Sequence, residues 1–204
     1  MILKKMYRDN LLKIFNEIYK NVDGFSLSIS ERRKLNLDDK SLVYGEIKPQ
    51  SFLDLLIKAQ VSEKDIFYDL GSGTGKAVIL AKLFFNVKKS VGIEILNSLL
   101  DVSNEIKNKF INMGFENFND VFFVKGNFLE PHIDFSEANL VFAHSTCLTD
   151  DQLKKLETKC LLLKEGARII LITKIFSSNN FELIYHGETE FSWGYGTTRI
   201  YVKK

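Results

Sequence analysis

The run Asp69-Leu70-Gly71-Ser72-Gly73-Thr74-Gly75-Lys76 constrains this chain more than any other stretch. Before it, DIFYDL (65–70) is short and apolar and reads as a buried strand. After it, GKAVILAKLFFN (75–86) reads as a helix. Glycines allow a sharp turn and let a ligand approach the backbone without a side chain in the way. The helix start adds unpaired N–H groups and the positive end of a dipole. Two familiar ligands do not fit the spacing. A P-loop needs four residues between its first glycine and a Gly-Lys pair, then Ser or Thr. Here Gly71 and Gly75 enclose only Ser72, Gly73 and Thr74, and Ala77 follows Lys76. A dinucleotide fingerprint needs G-x-G-x-x-G, and the third glycine comes one residue early.

The strand–helix rhythm continues beyond the loop. KSVGIEI (89–95), VFFVKGN (121–127), ANLVFAHS (138–145) and ARIILITK (167–174) read as strands. Between 97 and 113, Leu99, Val102, Ile106, Phe110 and Met113 line one helical face. Thr149 with Gln152 makes a capping box that opens a helix through about Leu163. Ahead of the loop, Leu3, Tyr7, Leu11, Ile14, Phe15 and Ile18 form a stripe on a first helix. Residues 22–41 read as a short helix or loop. Pro49 suits the first turn of another helix, with Phe52, Leu53, Leu56 and Ile57 as its buried face. At the end, FELIYHGETEFS (181–192) and TTRIYVKK (197–204) read as two strands joined across WGYG. Strand–helix alternation predicts a parallel sheet with helices on both faces, and the terminal hairpin adds an antiparallel edge. The expected division is an N-terminal helical segment, 1–45, and an α/β domain, 46–204.

Composition sets outer bounds. The chain has 204 residues, 45% hydrophobic and 26% charged, as in ordinary globular proteins. Its 28 basic and 26 acidic residues give +2, a balance that does not demand a polyanionic partner. No apolar run reaches the ~18 residues of a membrane span. Charges run through MILKKMYRDNLLKIFNEIYK, unlike a secretory signal. The two cysteines, Cys147 and Cys160, are too few for a disulfide framework. The expectation is a cytoplasmic protein with free thiols. His132, His144 and His186 lack metal-ligand spacing, so no metal is expected.

The pattern G-x-G-x-G resembles the first motif of class I S-adenosylmethionine (SAM) methyltransferases. Glu94 closes the following strand, where a carboxylate can accept from both ribose hydroxyls; alone, it also suits a solvated strand end. Gly126-Asn127-Phe128 follows the third strand. In this fold an aromatic ring there can stack on adenine and an amide can bond its edge; alone, Phe128 equally suits core and Asn127 a turn. The resemblance implies a Rossmann-like class I fold: seven strands, mostly parallel, a C-terminal antiparallel hairpin, and N-terminal helices.

A narrower resemblance rests on VYGEI (43–47), FYDLGSGTGKAV (67–78), VGIEI (91–95), KGNFLE (125–130) and LKEGARIILITKIF (163–176). In order and spacing these are similar to the Dot-one family, the histone lysine methyltransferases without a SET domain. The resemblance implies SAM as cofactor and a lysine of a protein substrate as acceptor. It implies that Tyr44, Gly45, Glu46 and Ile47 close over the methionyl end and help form a lysine channel. Asp69, Gly71, Ser72, Gly73, Thr74 and Gly75 would cradle the cofactor, Glu94 the ribose, and Asn127 with Phe128 the adenine. The catalytic candidates are Tyr44, Glu46 and His144, the last also a cofactor contact. Glu46 either orients the amine or is a salt-bridged acid. Tyr44, Phe176, Tyr185 and Trp193 are channel candidates, each with core packing as its alternative.

The sequence departs from that family in places. His144-Ser145-Thr146-Cys147 stand where asparagine pairs are common, and Asn127 replaces an acid. The long basic extension of nucleosome-acting members has only ERRK (31–34) and Lys203-Lys204 as substitutes, so neither a nucleosome nor a nucleic acid is implied. Base-amine methyltransferases carry a Pro-Pro pair after the fourth strand; the prolines here are Pro49 and Pro131. Two further readings stay open: a methyltransferase for a small molecule or other non-lysine acceptor, and a SAM-binding module without activity. Glu94→Ala is expected to weaken cofactor binding much more than it alters folding.

Overall fold

The computed structural model describes residues 2–204, with side chains from Met6 onward. Helix α1 (Ile2–Tyr19) buries Leu11, Phe15 and Tyr19, spaced four apart on one face. Tyr7 of the expected stripe is exposed, and the Leu3 side chain lies outside the described residues. Helix α2 (Gly24–Lys34) starts at Asp23, whose carboxylate accepts from the Ser26 N–H at 3.0 Å. The segment read as helix or loop is therefore a helix, followed by a 3-10 turn at Lys40–Leu42. Helix α3 (Pro49–Lys58) has proline in its first turn and buries Phe52, Leu53, Leu55 and Leu56. Ile57 faces solvent instead.

Seven strands follow: β1 (Ile66–Leu70), β2 (Lys89–Glu94), β3 (Val121–Lys125), β4 (Leu140–Ala143), β5 (Arg168–Ile172), β6 (Phe181–Phe191) and β7 (Gly194–Lys203). They form one sheet in the order β3-β2-β1-β4-β5-β7-β6. Strands β1 to β5 are mutually parallel, and β7 runs antiparallel between β5 and β6. Three helices complete the layers: α4 (Lys76–Phe85), α5 (Asn97–Asn112) and α6 (Asp150–Cys160). Both halves of the Thr149–Gln152 capping box are formed at the start of α6. Met113, expected on the buried face of α5, is exposed. No described helix is long and apolar enough to cross a membrane.

Side-chain alternation in β1 sets the two cores. Phe67 packs with Phe52, Phe142 and α1, α3 and α4 on one face; Tyr68 and Leu70 pack with Leu156 and Cys160 of α6 on the other. Each fully buried phenylalanine contributes about 1.5–3 kcal/mol. Helix α4 lies between the sheet and α1 and is buried almost all round, as its uninterrupted apolar sequence requires.

The hairpin differs from expectation in its turn. Pairing runs to Phe191 opposite Gly194, so the loop is Ser192-Trp193, and most of WGYG belongs to β7. The topology places the functional crevice. From β1 the chain moves outward to β2 and β3, then crosses to β4 on the other side of β1. Leu70 is level with Ile93 and with Ala143. Gly71, Glu94 and His144 therefore emerge together at the carboxyl ends of three strands, at the switch in strand order.

Candidate functional site

A cavity of about 230 Å³ opens at this switch point. Of the residues singled out in the sequence, Tyr44, Gly45, Gly71, Glu94, Gly126, Asn127, Phe128 and His144 line it. Asp69, Ser72, Gly73, Thr74, Gly75, Glu46 and Ile47 do not; they shape or brace its walls.

The glycine loop is held by backbone geometry. Gly71, Gly73 and Gly75 have φ of 86°, 55° and 80°, values that favour glycine. The loop folds back onto Glu94. The Gly73 N–H donates to Glu94 Oε2 at 2.7 Å, and the Ile95 and Leu96 N–H groups donate to Oε1 at 2.8 and 2.9 Å. Glu94 is buried, and burial pushes its pKa up against those hydrogen bonds. Asp69 lies beneath the loop. Burial, and then the Glu94 charge, raise its pKa well above the carboxylate range. Neither acid forms an ion pair with a described residue.

Ser72 and Thr74 do not point into the cavity. The Ser72 hydroxyl sits against Gly92 of β2. Thr74 turns its Oγ1 to the Tyr44 hydroxyl at 3.0 Å, and its carbonyl accepts from the Tyr19 hydroxyl at 3.0 Å.

Residues 37–45 lie over the opening as a lid. The Tyr44 ring rests on Gly73, where a Cβ would come within 2.5 Å of it. The Tyr44 hydroxyl donates to Glu46 Oε1, and Lys76 Nζ donates to Glu46 Oε2 at 2.5 Å. Both oxygens of Glu46 are thus engaged away from the cavity, which makes it the salt-bridged acid of the two readings. Its side chain and that of Lys76 are 17% and 20% exposed, so water screens the pair only partly. Ile47 is core and forms a bridge with Phe191. The chain on either side of it pairs with the hairpin: Ser192 N–H donates to the Glu46 carbonyl at 2.8 Å, and Glu46 N–H to Ser192 Oγ at 3.1 Å.

The hairpin tip packs aromatic rings behind two lining residues, Gly45 and His144. Trp193 stacks on Phe191 with ring centroids 5.0 Å apart, and both meet the His144 ring edge-on. Gly45 passes so close to the Trp193 indole that a Cβ would sit 3.1 Å from it. The indole N–H donates to His144 Nε2 at 3.3 Å. Burial lowers the His144 pKa, so the ring is neutral near pH 7 and its proton resides on Nδ1.

Two channel candidates lie elsewhere. Phe176 packs with Phe181 and Tyr201 in the second core. Tyr185 faces α3, where its hydroxyl accepts from Lys58 Nζ at 2.9 Å. Sequence reasoning also missed part of the wall. Ser28, Leu37, Asp39, Ser41, Leu42 and Gln152 all line the cavity. Gln152 is a clasp: its Oε1 completes the capping box, while its Nε2 donates to Ser41 Oγ at 3.2 Å. The capping-box motif marked Gln152 as a helix start and carried no sign of its second partner. Lid residues 37–45 come from the expected 1–45 segment and close a site built on 46–204, so that segment is part of the site.

Comparison with known proteins gives the family and the fold. The family described as "Histone methylation protein DOT1" matches residues 27–193. A histone-lysine N-methyltransferase, H3 lysine-79 specific, from Caenorhabditis elegans is 29% identical over 188 residues, covering 87% of this chain and 20% of that protein. A protein-lysine N-methyltransferase of Saccharolobus islandicus (strain REY15A) is 39% identical over 115 residues, covering 55% of this chain and 64% of that protein. The chain thus spans less than two thirds of either relative. Among solved structures, an RNA methyltransferase from Salinibacter ruber in complex with S-adenosyl-L-homocysteine superposes with TM-score 0.60 at 23% identity, over 76% of this chain and 90% of that one. TrmN from Thermus thermophilus gives 0.64 at 18%, over 85% and 53%. At such identities the two structures speak for the fold alone, and the fold is the Rossmann-like class I methyltransferase fold.

Proposed function

The chain belongs to the DOT1 family of histone methylation proteins, and from that premise we propose that it is a SAM-dependent methyltransferase whose acceptor is a lysine amine of a protein. One observation carries the reading. Two buried carboxylates, Asp69 and Glu94, stand together at the glycine loop with no described cation beside them. Such a pair gains from a positively charged ligand and from hydroxyl donors, and a sulfonium nucleoside brings both.

The remaining residues fit the same group. After its three backbone bonds, Glu94 keeps one of its about four acceptor sites, on Oε2, for a ribose hydroxyl. Asn127 Oδ1 accepts from the Leu129 N–H at 2.9 Å, which leaves Nδ2 to donate to a ring nitrogen of adenine. Phe128 stands beside Gly71, with a ring face to offer the base.

When bound, SAM supplies an electrophilic methyl group with a thioether leaving group, taken by the amine lone pair in one in-line displacement. The protein's task is to align the amine and dry it. A lysine amine must first give up its proton, which costs about 4.6 kcal/mol at pH 7. Gly45 and the neutral His144, backed by the Phe191–Trp193 pair, make a wall low in charge, and desolvation against it lowers the amine's pKa. The proton leaves to water at the mouth. Tyr44 and Glu46 act indirectly here, by pinning the lid to the loop through Thr74 and Lys76.

The free thiols Cys147 and Cys160 support a reducing, cytoplasmic setting; neither nucleic acid nor a membrane enters the proposal. Calorimetry with S-adenosylhomocysteine tests the site, and binding at micromolar affinity or better is expected. Tritiated SAM added with a cell lysate tests the acceptor. Label should enter protein, on lysine after hydrolysis. Label confined to extractable metabolites would overturn the lysine reading, and no binding would overturn the site.

A further inference from the structure

Ser28 of α2 is fully buried, lines the cavity, and its hydroxyl has no hydrogen-bond partner. A serine inside a helix can bond back to the carbonyl four residues earlier; this one does not. A buried hydroxyl without a partner costs about 1–3 kcal/mol. Other buried side-chain atoms among the described residues are also unpartnered, on Arg8, Arg32, Ser72, Thr198 and Tyr201, but Ser28 alone of these belongs to the cavity wall.

Its position is fixed from both sides. Three residues on, Glu31 clamps α2 to the start of α5: its carboxylate accepts from the Asn97 and Ser98 N–H groups at 2.8 and 2.7 Å, and from Ser98 Oγ. Four residues back, Gly24 lies against the Tyr44 ring. Helix α5 begins just after Glu94, and its nearest contributions to the cavity, Leu96 and Leu99, offer no polar side-chain atom. With no protein partner, the Ser28 hydroxyl is left to a group in the cavity, and the Glu31 clamp on α5 sets it on the side where β2 ends in Glu94.

Glu94 can only accept there. A ribose hydroxyl that gives its proton to Glu94 still has oxygen lone pairs to be satisfied. We infer that Ser28 donates a hydrogen bond to a ribose hydroxyl of the cofactor, across from Glu94, so that α2 is part of the cofactor site. The inference rests on reading the cavity as a SAM site.

Calorimetry on wild-type protein and Ser28→Ala, with S-adenosylhomocysteine and with 5′-methylthioadenosine, which lacks the amino-acid tail, tests it. Ser28→Ala should bind both ligands about tenfold more weakly, about 1.4 kcal/mol. Without ligand its melting temperature should stay the same or rise, because an unsatisfied hydroxyl has gone. Equal affinities in wild type and variant would overturn the inference while leaving the cofactor site standing. So would a loss seen only with S-adenosylhomocysteine, which would move Ser28 to the tail. A lower melting temperature of the unliganded variant would make the hydroxyl structural and overturn it too. Failure of the wild type to bind either ligand would instead remove the SAM site itself, and the inference with it.

Discussion

The cavity has two walls, and they are built differently. The sheet wall comes from the ends of β1 and β2, and backbone N–H groups of Gly73, Ile95 and Leu96 lock it onto one carboxylate. The lid wall comes from residues 28–45, braced from behind by the tip of the β6–β7 hairpin, and side chains hold much of it: Tyr44, Glu46, Lys76, Thr74, Gln152 and Trp193. Backbone bonds persist through most substitutions, whereas a side-chain network fails when one member changes. The sheet wall is suited to holding a ligand in one place. The lid wall is suited to adjustment, because few backbone bonds have to break for it to shift.

The largest effect should come from Glu94, the carboxylate onto which the sheet wall is locked. Glu94→Ala is expected to weaken S-adenosylhomocysteine binding about a hundredfold. The sequence alone suggested that folding would be spared; the structure predicts otherwise. Three N–H groups lose their acceptor at about 1–3 kcal/mol for each one left unsatisfied; removing a carboxylate whose burial is itself unfavourable offsets part of that, and the loss of stability should reach about 2–4 kcal/mol. Urea unfolding without ligand measures it. An unchanged midpoint would mean that the loop holds itself, and the contrast between the walls would lose its main support.

The lid network should give the opposite signature. Glu46→Gln and Lys76→Met are each expected to lower turnover about tenfold and to leave cofactor affinity within about threefold. The pair is partly buried, so a double-mutant cycle on stability should show a coupling of about 1–2 kcal/mol. Larger losses in affinity than in turnover would place Glu46 in the cofactor site after all.

The same contrast explains what the sequence made legible. The sheet wall is contiguous: 69–76 form one loop, and Glu94 and Asn127-Phe128 each follow directly on a strand. Local spacing is enough to find them. The lid depends on contacts that no local pattern encodes, such as Gln152 with Ser41 or Trp193 with His144. Ser28, Asp39 and Gln152 were missed for that reason. Tyr185 was misplaced because a register shift between Leu183 and Tyr185 interrupts the alternation of β6, which is what decides the face a strand residue takes. Reading WGYG as a turn failed because Gly196 serves packing: a Cβ there would come within 2.8 Å of the Trp193 ring.

A smaller effect is expected at Asp69, and its sign follows from its raised pKa. Burial first, and the Glu94 charge second, disfavour the ionised form in the folded protein. Below the unfolded pKa, near ~3.9, Asp69 is protonated in both states and costs nothing. As pH rises through the folded value, stability is lost. Asp69→Asn has no such cost, so its melting temperature without ligand should exceed the wild type's by a few degrees at pH 8, and the gain should vanish toward pH 4. With ligand the advantage reverses. The variant should lose about fivefold in affinity for cationic SAM and less for the neutral homocysteine product. Equal losses would show that the carboxylate does not sense the sulfonium charge.

The smallest effect should come from Trp193→Phe. The stacked contact with Phe191 is kept, while the N–H donated to His144 Nε2 is lost. A protonated imidazole cannot accept that bond, so the indole favours the neutral ring, in the same direction as burial. Without it the His144 pKa should move back up toward the ordinary histidine value. Turnover at pH 8 should fall about two- to threefold, and the acid limb of the turnover profile should shift to higher pH. Cofactor affinity should not change. If turnover falls by the same factor at every pH, Trp193 acts by shape alone, and the protonation state of His144 has no part in the chemistry of the lid wall.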